Sequence, residues 1–251
     1  MPTAVCEKCH GSGWIVRERD GLSGAERCDC QHTERAERLL TDAGIPPNYR
    51  DASIDSFVIP QDNPVAGTPM RELLRTVRSY VREYPTANKP GLLFIGNPGT
   101  GKTHLAVAAL KGLIAKGFEG VFFDYQNLLN RIRSSFDAAS GTSDREAYRT
   151  AMDTDVLLLD DLGAHRVTEF TEDTITSIIT YRCNNQKALI ATTNLCDTTL
   201  GDRRGAGPQG EINTRFFLEE RIGMRAHSRL FEMCRIVRMP PIEDYRIKTR
   251  R

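Results

Sequence analysis

The sequence predicts an α/β fold, a parallel sheet covered on both faces by helices and preceded by a small cysteine-rich module. Three observations predict it. From Met70 onward, short apolar runs alternate with segments of helical periodicity, the order that produces βα crossovers and a parallel sheet. A glycine-rich run, Gly96-Asn97-Pro98-Gly99-Thr100-Gly101-Lys102-Thr103, lies at one strand-to-helix junction and matches G-x-x-x-x-G-K-[ST]. Four of the seven cysteines, Cys6, Cys9, Cys28 and Cys30, fall in the first thirty residues.

The elements follow in order. Up to about Gln31 the chain shows little helical or strand periodicity and reads as a separate module. A charged helix is expected over His32–Ala43, stopped by Gly44-Ile45-Pro46-Pro47, because proline lacks an amide donor and disfavours helix in the residue before it. The Pro-, Asp- and Asn-rich stretch to Pro69 reads as a linker. Met70–Tyr84 carries Leu73, Leu74, Val77 and Val81 at helical spacing. Strands are then expected at Gly91–Gly96, Gly120–Asp124, Val156–Asp160, Ala188–Asn194 and Arg235–Met239. Helices are expected at Thr103–Lys116, in segments through Ala151, at Phe170–Gln186 and, after a polar loop Thr198–Gly210, over an arginine-rich Ile212–Cys234.

Composition narrows the class. The chain has 251 residues, 39% hydrophobic and 27% charged, enough for one full domain and a small appendage. Its longest apolar runs, Gly91–Ile95 and Val156–Leu159, fall far short of the roughly 18 residues of a membrane span, and Met1–His10 has no signal-peptide core. No membrane association and a cytoplasmic location are therefore expected. The net charge of +1 hides a split: residues 1–50 carry 7 basic against 8 acidic groups, 51–220 carry 18 against 22, and 221–251 carry 9 against 3. The total argues against nucleic-acid binding by bulk charge, and the basic tail reopens it.

In the Gly96–Thr103 run, glycine lets successive backbone amides face one point, and the start of the following helix adds its positive dipole end. A polyphosphate is bound by such a loop, with Lys102 reaching the β- and γ-phosphates and Thr103 holding Mg²⁺. His104 reads as a helix residue. The site needs an acidic group at the end of a neighbouring strand, which Asp160 and Asp161 supply. Asp160 is expected to hold Mg²⁺ through water, and Asp161 to orient or deprotonate the attacking water. Thr192-Thr193-Asn194 ends the next strand, and the Asn194 amide could hold the γ-phosphate and that water.

Near the start, Cys6-x-x-Cys9 and Cys28-x-Cys30 are two close pairs separated by a long excursion. In a chain expected to be cytoplasmic, such pairs suit a closed, structural, tetrahedral zinc site, with Gly11 and Gly13 allowing the turn after the first pair. His10 and His32 are adjacent substitutes. Trp14 is expected in the small core of this module, with a partner-binding anchor as the other reading. Cys183, Cys196 and Cys234 read as ordinary buried thiols.

The glycine loop, acidic pair and polar strand end, in this order, resemble the AAA+ ATPases. Residues 44–51 (GIPPNYRD) ahead of Phe57, then GNPGTGKTHLA, LLLDDLG, TTNL and Ser228-Arg229-Leu230-Phe231-Glu232-Met233-Cys234, resemble the DnaC/DnaI family of replicative helicase loaders. Transposition helper ATPases of the IstB type share much of this core. The resemblance implies a AAA+ P-loop NTPase without a separate lid domain, binding ATP, a ring-shaped hexameric helicase and single-stranded DNA. The resemblance covers residues from about 44 to 246; with the cysteine spacing and the residue pattern, the expected division is a zinc-binding module with its helix (1–43), to which the family layout assigns partner interaction, a linker packed on the ATPase (44–69) and the ATPase domain (70–251).

The same resemblance makes Arg229 the finger that contacts ATP in a neighbouring subunit, so hydrolysis would depend on self-association. Arg215, Arg221 and Arg225 recur on the same expected helix, and Arg221 and Arg225 stay competitors. DNA contact is expected after the second strand, from Arg131, Arg133, Arg145 and Arg149, with Phe136 and Tyr148 able to stack on bases. The alternatives are a transposition or phage helper ATPase, and a binding module switched by nucleotide. A DnaA-type initiator is disfavoured, because Pro240–Arg251 is too short for a helix-turn-helix domain.

Overall fold

The computed structural model describes residues 6–10, 12, 14–19, 22–59, 64–86, 88–134, 142–201, 217–242 and 244–248. Where little periodicity was expected, two strands form an antiparallel hairpin, β1 (Trp14–Arg19) and β2 (Leu22–Arg27). Trp14 is 47% exposed, so the expectation that it forms a buried core is corrected: a two-stranded hairpin has no second layer to cover both of its faces. Helix α1 (Asp29–Asp42) starts earlier than expected and runs onto the larger domain, where Leu39 packs on its core and the Ala43 carbonyl accepts from the Phe122 amide at 2.7 Å.

After α1 the chain makes a short 3-10 turn at Pro47–Tyr49 and a further turn closed by hydrogen bonds between Ser53 and Ser56. Helix α2 then spans Pro64–Glu83, so the end of the expected linker is already helical. Its Pro69 is the sixth residue, beyond the first turn whose amides have no intrahelical partner, so the helix forgoes one backbone hydrogen bond there. The remaining elements are β3 (Gly91–Ile95), α3 (Lys102–Ala115), β4 (Gly120–Asp124), α4 (Tyr125–Ser134), α5 (Thr142–Asp153), β5 (Val156–Asp160), α6 (Glu169–Asn184), β6 (Ala188–Thr193), α7 (Leu218–Ile222), α8 (Met224–Met233), β7 (Cys234–Arg238) and α9 (Tyr245–Lys248). The expected arginine-rich helix is two helices, because Gly223 breaks it with φ 80. Residues 212–216 lie outside the described residues, as does most of the polar loop before them.

The strands form one parallel sheet in the order β4-β5-β6-β3-β7. Period-two alternation sends Val156 and Leu158 of β5 to one face, against α2 and α3, and Leu157 and Leu159 to the other, against α4, α5, α6 and α8. All four are fully buried. At the bottom of the sheet, Arg182 of α6 is also fully buried. Its guanidinium donates to the carbonyls of Ala151 (2.9 Å), Met152 (3.2 Å), Asp155 (3.1 Å) and Ala188 (2.5 Å), closing the end of α5 onto the starts of β5 and β6. Among the described residues, no helix is long and apolar enough to cross a membrane.

Candidate functional site

The carboxyl ends of β3, β5 and β6 meet above the sheet, where ligands of open α/β sheets bind. Gly101 (φ 89) and Gly99 (φ 72) let the loop after β3 turn tightly into α3. A Cβ at Gly101 would stand 2.5 Å from the Phe57 ring. Lys102 Nζ donates to the Asn97 carbonyl at 2.7 Å, folding the ammonium over the loop. Burial lowers its pKa to about 8, against the opposing pull of Asp161 and Asp160.

Thr103 Oγ1 and Thr192 Oγ1 both donate to Asp160 Oδ1, at 2.9 and 2.6 Å. Burial pushes the Asp160 carboxyl above its ordinary value, and these two hydroxyls pull it back. Asp161 adopts φ 54, and its amide donates to Thr192 Oγ1 at 3.0 Å. Asn194 Nδ2 donates to Asp161 Oδ1 at 3.1 Å. Neighbouring parallel strands in register, Leu159 beside Ala191, bring these two strand ends level.

The expected residues Pro98, Gly99, Thr100, Gly101, Lys102, Thr103, Asp160, Asp161 and Asn194 all line one cavity of about 580 Å³, an ordinary size for a small-molecule site. Asn97 contributes its carbonyl to the loop, and Gly96 lies beneath it against Met239, where a Cβ would stand 2.7 Å away. A magnesium ion suits the paired Thr103 hydroxyl and Asp160 carboxylate, a hard oxygen donor set.

Sequence reasoning missed half of the wall. Tyr49, Phe57 and Val58 from the segment before α2, with Ile242, Tyr245 and Arg246 after β7, complete the cavity. His104 pins the first segment: its Nε2–H donates to the Ser53 carbonyl at 2.8 Å, and its ring meets Phe57 edge-on at 5.6 Å. The second segment docks on the loop through the Tyr245 amide and the Gly99 carbonyl (3.2 Å), and a Cβ at Gly99 would stand 2.0 Å from the Asp244 carboxylate. Arg246 Nε in turn donates to Asp244 Oδ1 at 3.2 Å. The hints in the sequence were the resemblance over residues 44–51 ahead of Phe57, for the first segment, and the basic excess of the tail, for the second.

Other expected residues lie elsewhere. Arg229 does not line the cavity; it stands on the exposed face of α8 and donates to Glu232 Oε2 at 2.7 Å. Arg225 is exposed on the same helix, whereas Arg221 turns inward to the His165 carbonyl at 3.4 Å. Arg131 and Arg133 lie over the rings of Phe123 and Phe170, 5.6 and 5.0 Å from the centroids. Tyr148 shares a hydrogen bond with Ser177, and Arg149 is exposed. Gly11, Gly13, Phe136 and Arg215, and the side chains of His32 and Arg145, lie outside the described residues.

The four amino-terminal cysteines converge, all sulfurs within 4.8 Å of one another. Cys6 Sγ and Cys28 Sγ are 3.8 Å apart, Cys9 Sγ and Cys30 Sγ 3.4 Å. Four thiolates around one zinc at about 2.3 Å stand about 3.8 Å apart, so this set fits a closed tetrahedral site. His10 Cα adopts φ 50 as its amide closes a turn onto the Cys6 carbonyl at 2.7 Å.

The family model for IstB-like ATP binding proteins matches residues 69–204, from α2 through the end of β6 and the turn after it. The chain belongs to this family. Among the relatives of this IstB-like chain, the replicative helicase loader DnaC of Buchnera aphidicola subsp. Acyrthosiphon pisum (strain APS) is 25% identical over 161 residues, 64% of this chain and 63% of that protein. The chain thus matches less than two thirds of that relative's length. A crystal structure of the DnaC helicase loader superposes with a TM-score of 0.62 at 32% identity, over 78% of this chain and 100% of that one. The structure of DnaI superposes at 0.57 and 20% identity, over 80% and 94%, which bears on the fold alone. The fold is that of the AAA+ P-loop proteins, carrying a cysteine cluster ahead of the core.

Proposed function

We propose that this chain binds ATP and hydrolyses it in the cavity above β3, β5 and β6, as an assembly-dependent ATPase of the helicase-loader kind in DNA replication. One observation carries the reading: Lys102, the Thr103–Asp160 pair and the Asp161–Asn194 pair open onto the same cavity. In it, Lys102 exchanges the Asn97 carbonyl for phosphate oxygens, and the loop amides hold the β-phosphate. Thr103 and Asp160 would hold magnesium, which would supply positive charge against the phosphates. Asp161 accepts the proton of the attacking water, and Asn194 fixes the Asp161 carboxylate and the water together. Tyr49, Phe57 and Tyr245 supply apolar surface for the base, and Arg246 a cation from the same chain.

Arg229 lies outside its own cavity on an exposed helix face, where a finger must be to act on a neighbouring subunit. A hexameric replicative helicase and single-stranded DNA are the proposed partners, supported by the helicase-loader names of the relatives. The proposed division keeps a boundary at residue 43 and moves the second from 69 to the start of α2 at Pro64; the hairpin module exposes Trp14 and Val16 (72%) to a protein partner, with the cysteines holding zinc as its structural staple. The IstB-type transposition helper remains the second reading, favoured by the name of the matching family model.

The test is ATP turnover with and without single-stranded DNA, together with co-elution of the chain and a hexameric replicative helicase in ATP. Turnover absent under all conditions would remove the enzymatic reading. Co-elution with a transposase instead would favour the second.

A further inference from the structure

A third group of polar side chains converges away from both sites. Asp197, just after β6, Glu219 of α7 and His227 of α8 each bring one ligand atom within 4.8 Å of the others. The Asp197 side chain is fully buried and that of His227 is 7% exposed. Asp197 Oδ1 accepts from the Thr199 amide at 2.9 Å and from the Thr199 hydroxyl, while Oδ2 meets His227 Nε2 at 2.7 Å. Glu219 Oε1 accepts from Thr198 Oγ1 at 2.6 Å, and Glu219 Oε2 is buried with no hydrogen-bond partner among the described residues.

Counted over these three side chains alone, the arrangement has a negative balance. Two carboxylates beside one imidazole carry a net negative charge whether or not the ring is protonated, and buried carboxylate oxygens require donors or a cation. One imidazole nitrogen with carboxylate oxygens, from three separate elements, is a donor set for a borderline dication such as zinc, at about 2.0–2.2 Å from each ligand.

We propose that Asp197, Glu219 and His227 form a second metal site, for a dication of the zinc class. His227 binds through Nε2 in place of its hydrogen bond to Asp197, keeping its proton on Nδ1 and releasing to solvent any second ring proton. Glu219 binds through Oε2. Asp197 follows Asn194 by three residues, and His227 precedes Arg229 by two. An ion here pins the strand end that carries Asn194 to the helix that carries Arg229. That consequence rests on the roles proposed above for these two residues; the metal site itself does not.

The experiment is zinc stoichiometry of the full chain, by elemental analysis after dialysis against zinc in excess magnesium, without nucleotide. It compares the natural sequence with Glu219→Gln and His227→Gln. Cobalt substitution separates the sites, because the thiolate cluster gives an intense near-ultraviolet charge-transfer band and a nitrogen-oxygen site does not. The expected result is one fewer metal ion per chain in each variant with the thiolate band unchanged. Glu219→Gln keeps the shape of a partly exposed residue, so it reports even where His227→Gln fails to fold. Equal metal content in the natural chain and Glu219→Gln overturns the proposal, leaving Asp197 and His227 as a hydrogen-bonded pair. Loss of turnover would not bear on it.

Discussion

Asn194 donates its side-chain amide to Asp161 Oδ1 at 3.1 Å, joining the ends of two adjacent parallel strands. The contact holds the carboxylate in one orientation while leaving Asn194 exposed to the cavity. Asn194→Ala should therefore lower kcat by about 10²-fold, the typical worth of a positioned acid-base group, while the Kd for ATP changes less than about twofold. Single-turnover hydrolysis alongside binding of a non-hydrolysable analogue separates the two. A parallel loss of affinity would place Asn194 in ground-state binding instead.

Lys102 predicts a pH dependence. Its pKa is lowered to about 8 by burial, and bound triphosphate must raise it again. ATP binding is then linked to proton uptake: affinity is flat below pH 8 and falls as pH rises through 8, by up to tenfold per unit. Calorimetry at pH 8 in buffers of different ionisation enthalpy should show protons taken up on binding, and Lys102→Arg should abolish that uptake near pH 8.

The docked tail makes its own prediction. Arg246 lines the cavity and is held by Asp244, which packs against Gly99. Arg246→Ala should weaken ATP binding about tenfold by removing a charge-assisted contact, and Gly99→Ala should do at least as much by displacing Asp244. Fluorescent-nucleotide titration measures both. Affinity unaffected by either change would show that the tail leaves the loop when ATP binds.

Arg182 tests the base of the sheet. An apolar replacement leaves four buried carbonyl contacts without their donor, so Arg182→Met should cost about 3 kcal/mol or more. Urea unfolding should show a lower midpoint with the slope unchanged.

Removal of zinc should act locally. Chelation, or Cys9→Ser, should raise amide exchange across β1, β2 and the first turns of α1 while α3 and β5 stay protected, because only the end of α1 is packed on the larger core. Exchange read by mass spectrometry distinguishes this from global unfolding.

The loop, the acidic pair and every strand of the large sheet were legible because each is a local pattern: a short apolar stretch closed by glycine, aspartate, asparagine or proline. The strand order was not, since β3 sits between β6 and β7 through pairings far apart in sequence. The hairpin escaped because Trp14-Ile15-Val16 followed by Arg17-Glu18-Arg19 does not alternate, so β1 lacks the period-two signal of a half-buried strand. Gly223 carried a legible break that the run of arginines around it concealed. The Asp244 contact to Gly99 and the Asp197–His227 pair had no signal, because Asp244, Asp197 and His227 stand in no recognisable motif, the motif around Gly99 does not specify what packs on it, and each contact spans a long separation.

Asp244 follows Gly99 by 145 residues. A ribosome that has completed β3, α3 and even β5 has made every phosphate-binding group of the loop and still lacks the wall against which the loop rests. The wall of the nucleotide site is therefore acquired after the loop it supports, when β7 has taken its place beside β3 and the residues after it have folded back. Completion of the site thus follows completion of the sheet.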